Sequence, residues 1–101
     1  MSIIKNYNEK TLFCRVTFKI PLGVVNPESQ VFITGEFNNW DIKSLPMEKL
    51  ESGEFTISLD LEKGKEYQFK YIIDGREWIN ERSADRYERN GVISENSVVV
   101  T

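Results

Sequence analysis

EFTISLDLEKGKEYQFKYIIDGREW, Glu54 to Trp78, carries the pattern that decides the fold. In its first eight residues Phe55, Ile57, Leu59 and Leu61 fall on one side and Glu54, Thr56, Ser58 and Asp60 on the other. A period of two belongs to a β-strand with one dry and one wet face. Glu-Lys-Gly-Lys then supplies a turn. The alternation resumes with Tyr67, Phe69, Tyr71 and Ile73 on one face, and Gln68, Lys70 and Ile72 on the other. Asp74-Gly75 is the dipeptide of a tight hairpin. It returns the chain into a short strand around Trp78.

The same period recurs outside this stretch. In TLFCRVTFKI, residues 11–20, Leu12, Cys14, Val16, Phe18 and Ile20 point one way, while Phe13, Arg15, Thr17 and Lys19 point the other. Pro21, Gly23 and Pro27 punctuate a loop, QVFITG brings Val31 and Ile33 inward, and NSVVV closes the chain as a last strand. About six to eight short strands with Gly, Pro and Asn turns form the pattern of an all-β sandwich. Residues 80–95, NERSADRYERNGVISE, are long and polar, and read either as a functional loop or as holding a short helical turn near Ala84–Tyr87.

With 101 residues the chain makes one domain with a single core, too small for a catalytic barrel. Hydrophobic residues at 40% and charged residues at 29% exclude a disordered chain. A net charge of −3 argues against a polyanionic partner, so no nucleic acid is expected. There is no histidine, and Cys14 is the one cysteine, which removes the usual catalytic triads, disulfides and most zinc chemistry. Sixteen carboxylates guarantee that some pair lies close, but nothing marks two of them across a cleft. The expectation is a non-enzyme with no catalytic residues, no metal and no cofactor. MSIIKNYNEKT lacks the apolar core of a signal peptide and no run approaches membrane-spanning length, so a cytoplasmic module with no membrane partner is expected.

Trp40 and Trp78 are the only tryptophans, and each stands at or just beyond a turn: GEFNNWD, Gly35 to Asp41, and DGREW. Turns lie on the surface, so a large flat ring beside one is hard to bury. Pyranose rings present C–H groups on their faces, which pack on the electron-rich face of an indole. The competing reading is that one tryptophan plugs the core, as in immunoglobulin-type sandwiches; the turn position favours exposure, more for Trp78 than for Trp40. Lys70 lies on the wet face of its strand, which continues towards the Trp78 hairpin. It reads as a donor to sugar hydroxyls or as an ordinary solvated lysine. Asn38, Asn39 and Asp41 shape the Trp40 loop, with at most one of them free for a ligand, and Asn96 has the same two readings. Asp85, Arg86, Glu88 and Arg89 read as salt-bridged loop residues.

The segments VFITGEFNNWD, YQFKYIIDGREW and ENSVVV, in that order and at those gaps, resemble carbohydrate-binding module family 48 over about residues 10–101. That family includes the glycogen-binding domain of the AMP-activated protein kinase β subunit and the N-terminal early-set domain of isoamylases. The ADRY and ENSVVV segments look most like its short, stand-alone bacterial members. The resemblance implies an immunoglobulin-like sandwich spanning residues 1–101, with residues 1–9 as an N-terminal extension. It also implies binding of α-1,4-glucan, as glycogen, starch or a maltooligosaccharide, with a glycogen-metabolism enzyme as a further partner. By the family pattern Trp40 and Trp78 stack on glucose rings and Lys70, following Phe69, donates to the sugar. The family's sugar-binding asparagine falls at Glu95, with Asn96 in the neighbouring, usually structural position; Asn96 is the weaker candidate. Val92 and Ile93 fall near a leucine and a threonine of the kinase domains, and the hairpin ahead of Trp78 is one residue longer. The alternative function is a docking module that has kept the fold and lost glucan binding.

Overall fold

A computed structural model describes residues 1–89, 91 and 94–101. The alternating stretches become β-strands there, and nine strands run through the described residues: β1 (Ser2–Tyr7), β2 (Phe13–Ile20), β3 (Val31–Gly35), β4 (Glu48–Lys49), β5 (Phe55–Glu62), β6 (Glu66–Ile73), β7 (Glu77–Ile79), β8 (Arg86–Arg89) and β9 (Glu95–Val100). They form two antiparallel sheets, β1-β2-β5-β4 and β3-β6-β9-β8, with β7 also paired to β6. The molecule is an all-β sandwich.

The buried phase of β2, β3, β5 and β6 matches the reading above, with the exception of Ile72. Cys14, Val16, Phe18 and Ile20 from β2 meet Ile33, Phe69, Tyr71 and Val99 from the opposite sheet, all with 0% exposure. Phe18 and Phe69 meet edge to face at 5.1 Å, and Phe69 meets Tyr71 at 5.8 Å. Aromatic pairs in this geometry add to the area they bury. Leu12, expected on the core face, is 79% exposed because β2 begins one residue later.

Three strands exceed or replace what the alternation indicated. Residues 2–7, expected to lie in an extension, form β1, paired with β2 from Ser2↔Lys19 to Tyr7↔Cys14. Lys5 also pairs with Asp85 at 2.7 Å and Tyr7 Oη donates to the Thr101 carbonyl at 2.9 Å, so β1 closes one flank of the sandwich. The two-residue β4 extends the β5 edge. Where a helical turn was an option, β8 runs instead, paired from Arg86↔Val98 to Arg89↔Glu95. The apolar β9 needs a second neighbour for its backbone groups, and this requirement overrides local preference. Arg86 then pairs with Glu66 and Glu88, each at 2.5 Å.

β6 organises the sheet that matters. One of its edges takes β3, from Val31↔Ile73 to Gly35↔Phe69. The other is shared end to end by β9, through Glu66↔Val100 to Phe69↔Ser97, and β7, through Tyr71↔Ile79 to Ile73↔Glu77. The outer face of β6 therefore lies between residues from β3, β7 and β9. Ile72, on that face, was expected to be wet but is 1% exposed. Its cross-strand neighbours are Phe32 and Trp78, which cover it.

Candidate functional site

Each position of GEFNNWD has a structural task. Gly35 ends β3 against β6, where a Cβ would sit 2.4 Å from the Gln68 carbonyl oxygen and 2.7 Å from the Phe69 Cβ. Only glycine fits that approach. Glu36–Asn38 form a single 3-10 turn. Phe37 drops into the aromatic core, 6.4 Å from Phe69 and 6.2 Å from Tyr67. Asn38 braces the loop: Oδ1 accepts from the Gly35 N–H at 2.9 Å, and Nδ2 donates to the Asp41 carbonyl at 2.9 Å and to Ser44 Oγ at 3.0 Å. Asp41 Oδ1 accepts from the Lys43 N–H at 2.9 Å. These residues shape the loop, as expected of them.

The loop then turns left-handed twice, at Asn39 (φ 55°) and at Trp40 (φ 58°). Asparagine tolerates this region, whereas a bulky residue there costs about 1–2 kcal/mol. The Trp40 N–H donates to the Gly35 carbonyl at 2.8 Å, which holds the strained residue. Strain of this kind concentrates where a side chain must be presented. Trp40 is half-buried.

Trp78 is set by the hairpin. Asp74 (φ 54°) and Gly75 (φ 71°) both have the positive φ that tight hairpin turns require. Asp74 also ties the hairpin to the residues just ahead of β3: its carboxylate accepts from the Gln30 N–H at 2.9 Å and from Ser29 Oγ at 2.8 Å. Those hydrogen bonds hold its pKa below the ordinary carboxylate value. Trp78 lies opposite Ile72 and is 45% exposed. Neither tryptophan fills the core.

Glu36, Trp40, Gln68, Lys70, Trp78 and Asn96 line one open cleft of about 450 Å³ on the outer face of the β3-β6-β9-β8 sheet. All four residues singled out for a sugar thus come together: Trp40, Trp78, Lys70 and Asn96. Lys70 lies opposite Thr34 in the ladder, and among the described residues its ammonium has no hydrogen bond or ion pair. Thr34 Oγ1 beside it is buried and has no partner among the described residues.

Asn96, 5% exposed, donates from Nδ2 to Gln68 Oε1 at 2.9 Å. Glu95, the position aligned with the family's asparagine, is exposed and faces Arg89 in the ladder. Val92 and Ile93 lie outside the described residues.

The start of β9 is held by a buried polar network. Glu81, 0% exposed, accepts from Tyr71 Oη at 2.7 Å and from the Ser83 N–H at 2.9 Å, and its own N–H donates to Ser97 Oγ at 2.9 Å. Ser97 Oγ in turn donates to Asn80 Oδ1 at 2.8 Å. Burial, and then the nearby Glu81 carboxylate, push the Tyr71 hydroxyl pKa well up. The network fixes the residue next to Asn96.

Two lining residues were not singled out from the sequence, Glu36 and Gln68. Gln68 was legible, since it precedes Lys70 by one strand period. Glu36 was not, because a residue in a turn has no period to reveal its direction.

Fold and cleft together define a small β-sandwich binding module with an aromatic recess on one sheet. The chain belongs to the family described as the glycogen recognition site of AMP-activated protein kinase, which matches residues 26–101. It is 43% identical over 51 residues to Protein PTST homolog 2, chloroplastic, of Arabidopsis thaliana, covering 50% of this chain and 9% of that protein. It is 38% identical over 66 residues to Protein FLOURY ENDOSPERM 6, chloroplastic, of Oryza sativa subsp. japonica, covering 65% and 12%. It is also similar to the 5'-AMP-activated protein kinase subunit beta-2 of Homo sapiens, 43% over 54 residues, covering 54% and 18%. The chain spans less than a fifth of the length of these relatives.

Proposed function

We propose that this protein is a non-catalytic binding module for α-1,4-glucan, with Trp40 and Trp78 stacking on glucose rings, Lys70 donating to sugar hydroxyls and Asn96 assisting. One observation carries the reading: the two tryptophans line the same open cleft with two amide side chains and a lysine that is unpaired among the described residues. Membership of the glycogen-recognition family supports the choice of ligand. Aromatic rings offer sugar C–H faces a large contact at little cost in side-chain entropy, and the few polar groups fix orientation. An open recess on a small sheet buries little ligand surface, so affinity is modest.

The test is isothermal titration with maltoheptaose and β-cyclodextrin, with a β-1,4-linked glucose oligomer as comparator. Saturable binding of the α-linked ligands alone is expected. No heat with either α-glucan at millimolar concentration overturns the proposal. In that case a protein retained from cell extract and not displaced by maltodextrin identifies a docking module instead.

A further inference from the structure

Glu36 is exposed, yet its carboxylate is not loose. Oε1 accepts from the Gln68 backbone N–H at 2.6 Å. The β3–β6 ladder ends one pair earlier, at Gly35↔Phe69, so this carboxylate takes over where the β3 backbone leaves off. A charge-assisted bond to a backbone donor in a sheet fixes position well. The carboxylate is thereby held at the wall of the cleft that Lys70 also lines.

Lys70 and Glu36 do not form an ion pair with each other; the Lys70 ammonium is unpaired among the described residues. Glu36 Oε2 likewise has no hydrogen-bond partner among the described residues. The cleft therefore holds one cation and one anion, the only charged groups among its six described lining residues. A carboxylate only accepts hydrogen bonds and an ammonium only donates. A hydroxyl-bearing neutral ligand satisfies both at once. A phosphate ester satisfies Lys70 but sets like charges against Glu36, which costs affinity.

We infer that Glu36 determines the specificity of the cleft: it accepts from a sugar hydroxyl and selects unsubstituted glucan over glucan carrying phosphate esters. The inference rests on the α-glucan reading above and goes beyond it by naming which glucan is refused and by which atom.

The experiment compares maltoheptaose with a phosphorylated maltodextrin of matched length, titrated into the wild-type chain and into Glu36→Gln. Glutamine keeps an oxygen for the Gln68 N–H and removes the charge, so the variant should stay folded with at most a small drop in melting temperature. The wild type is expected to prefer the neutral chain about tenfold. In Glu36→Gln, affinity for maltoheptaose falls several-fold, and Lys70 is left as the only charged lining residue. The phosphorylated chain then binds at least as well as the neutral one. A wild-type preference ratio retained in Glu36→Gln overturns the inference while leaving glucan binding intact, as would equal loss for both ligands, the signature of a merely structural residue. Absence of maltoheptaose binding to the wild type would instead remove the α-glucan reading, and this inference with it.

Discussion

Replacing Trp78 with alanine is the perturbation whose size the geometry sets most directly. A tryptophan side chain offers roughly 250 Å², and Trp78 is 45% exposed. About 110 Å² of ring is thus open, and one face of it, about 55 Å², can meet a sugar. The sugar loses a similar area, so about 110 Å² leaves water, worth about 2.7 kcal/mol at ~25 cal/mol per Å². That corresponds to about a hundredfold in Kd. For a module of modest affinity the variant then falls outside the range of titration with maltoheptaose. Trp78 also covers Ile72, so Trp78→Ala should lower the melting temperature. Trp78→Phe separates the two effects, because it keeps the cover and a smaller stacking face. A Trp78→Ala protein that is folded and binds within threefold of wild type would refute the reasoning, since the ring would then not be in contact with the ligand.

Gly35→Ala should destabilise by about 3 kcal/mol or more in denaturant titration, because the neighbours its Cβ would strike are β6 backbone and the Phe69 Cβ, which cannot give way. Tyr71→Phe leaves the buried Glu81 one donor short and should cost about 1–3 kcal/mol. Because the folded-state pKa of Tyr71 is raised, its contribution is complete below about pH 10 and is lost as pH rises and the unfolded chain ionises. Tyr71→Phe should flatten that alkaline loss in melts taken between neutral and strongly alkaline pH. Asp74 is the opposite case: its folded-state pKa is lowered, so its contribution is present above about pH 4 and disappears as pH falls through the lowered value. Asp74→Asn should lower stability at neutral pH and make the acid limb shallower; an unchanged acid limb would contradict the tie between the hairpin and Gln30.

Most of the architecture was legible along the chain, because a strand shows its two faces every second residue. Cys14 to Ile20, Phe55 to Leu61 and Tyr67 to Ile73 all kept the phase their alternation indicated, and Asp74-Gly75 made the hairpin that such a dipeptide makes. Trp40 and Trp78 could be placed at or just beyond turns from the Gly, Asn and Asp residues around them, and Lys70 on the outer face by its alternation. Alternation names a face but not what covers it. Ile72 was placed correctly on the outer side of β6, and only the pairing with Phe32 and Trp78 made it dry. Residues 86–89 became a strand because β9 required a partner, a demand that no local pattern in that polar segment expresses. The choice of Asn96 over Glu95 as a lining residue, and the pinning of Glu36 on the Gln68 N–H, depend on which strands end beside which. Local chemistry along the chain thus determined the alternating strands, the turns between them and the residues proposed for a sugar. Their meeting in one cleft was decided by long-range pairing across β6, where register, set by the whole sheet, brings together side chains as far apart in the chain as Trp40 and Asn96.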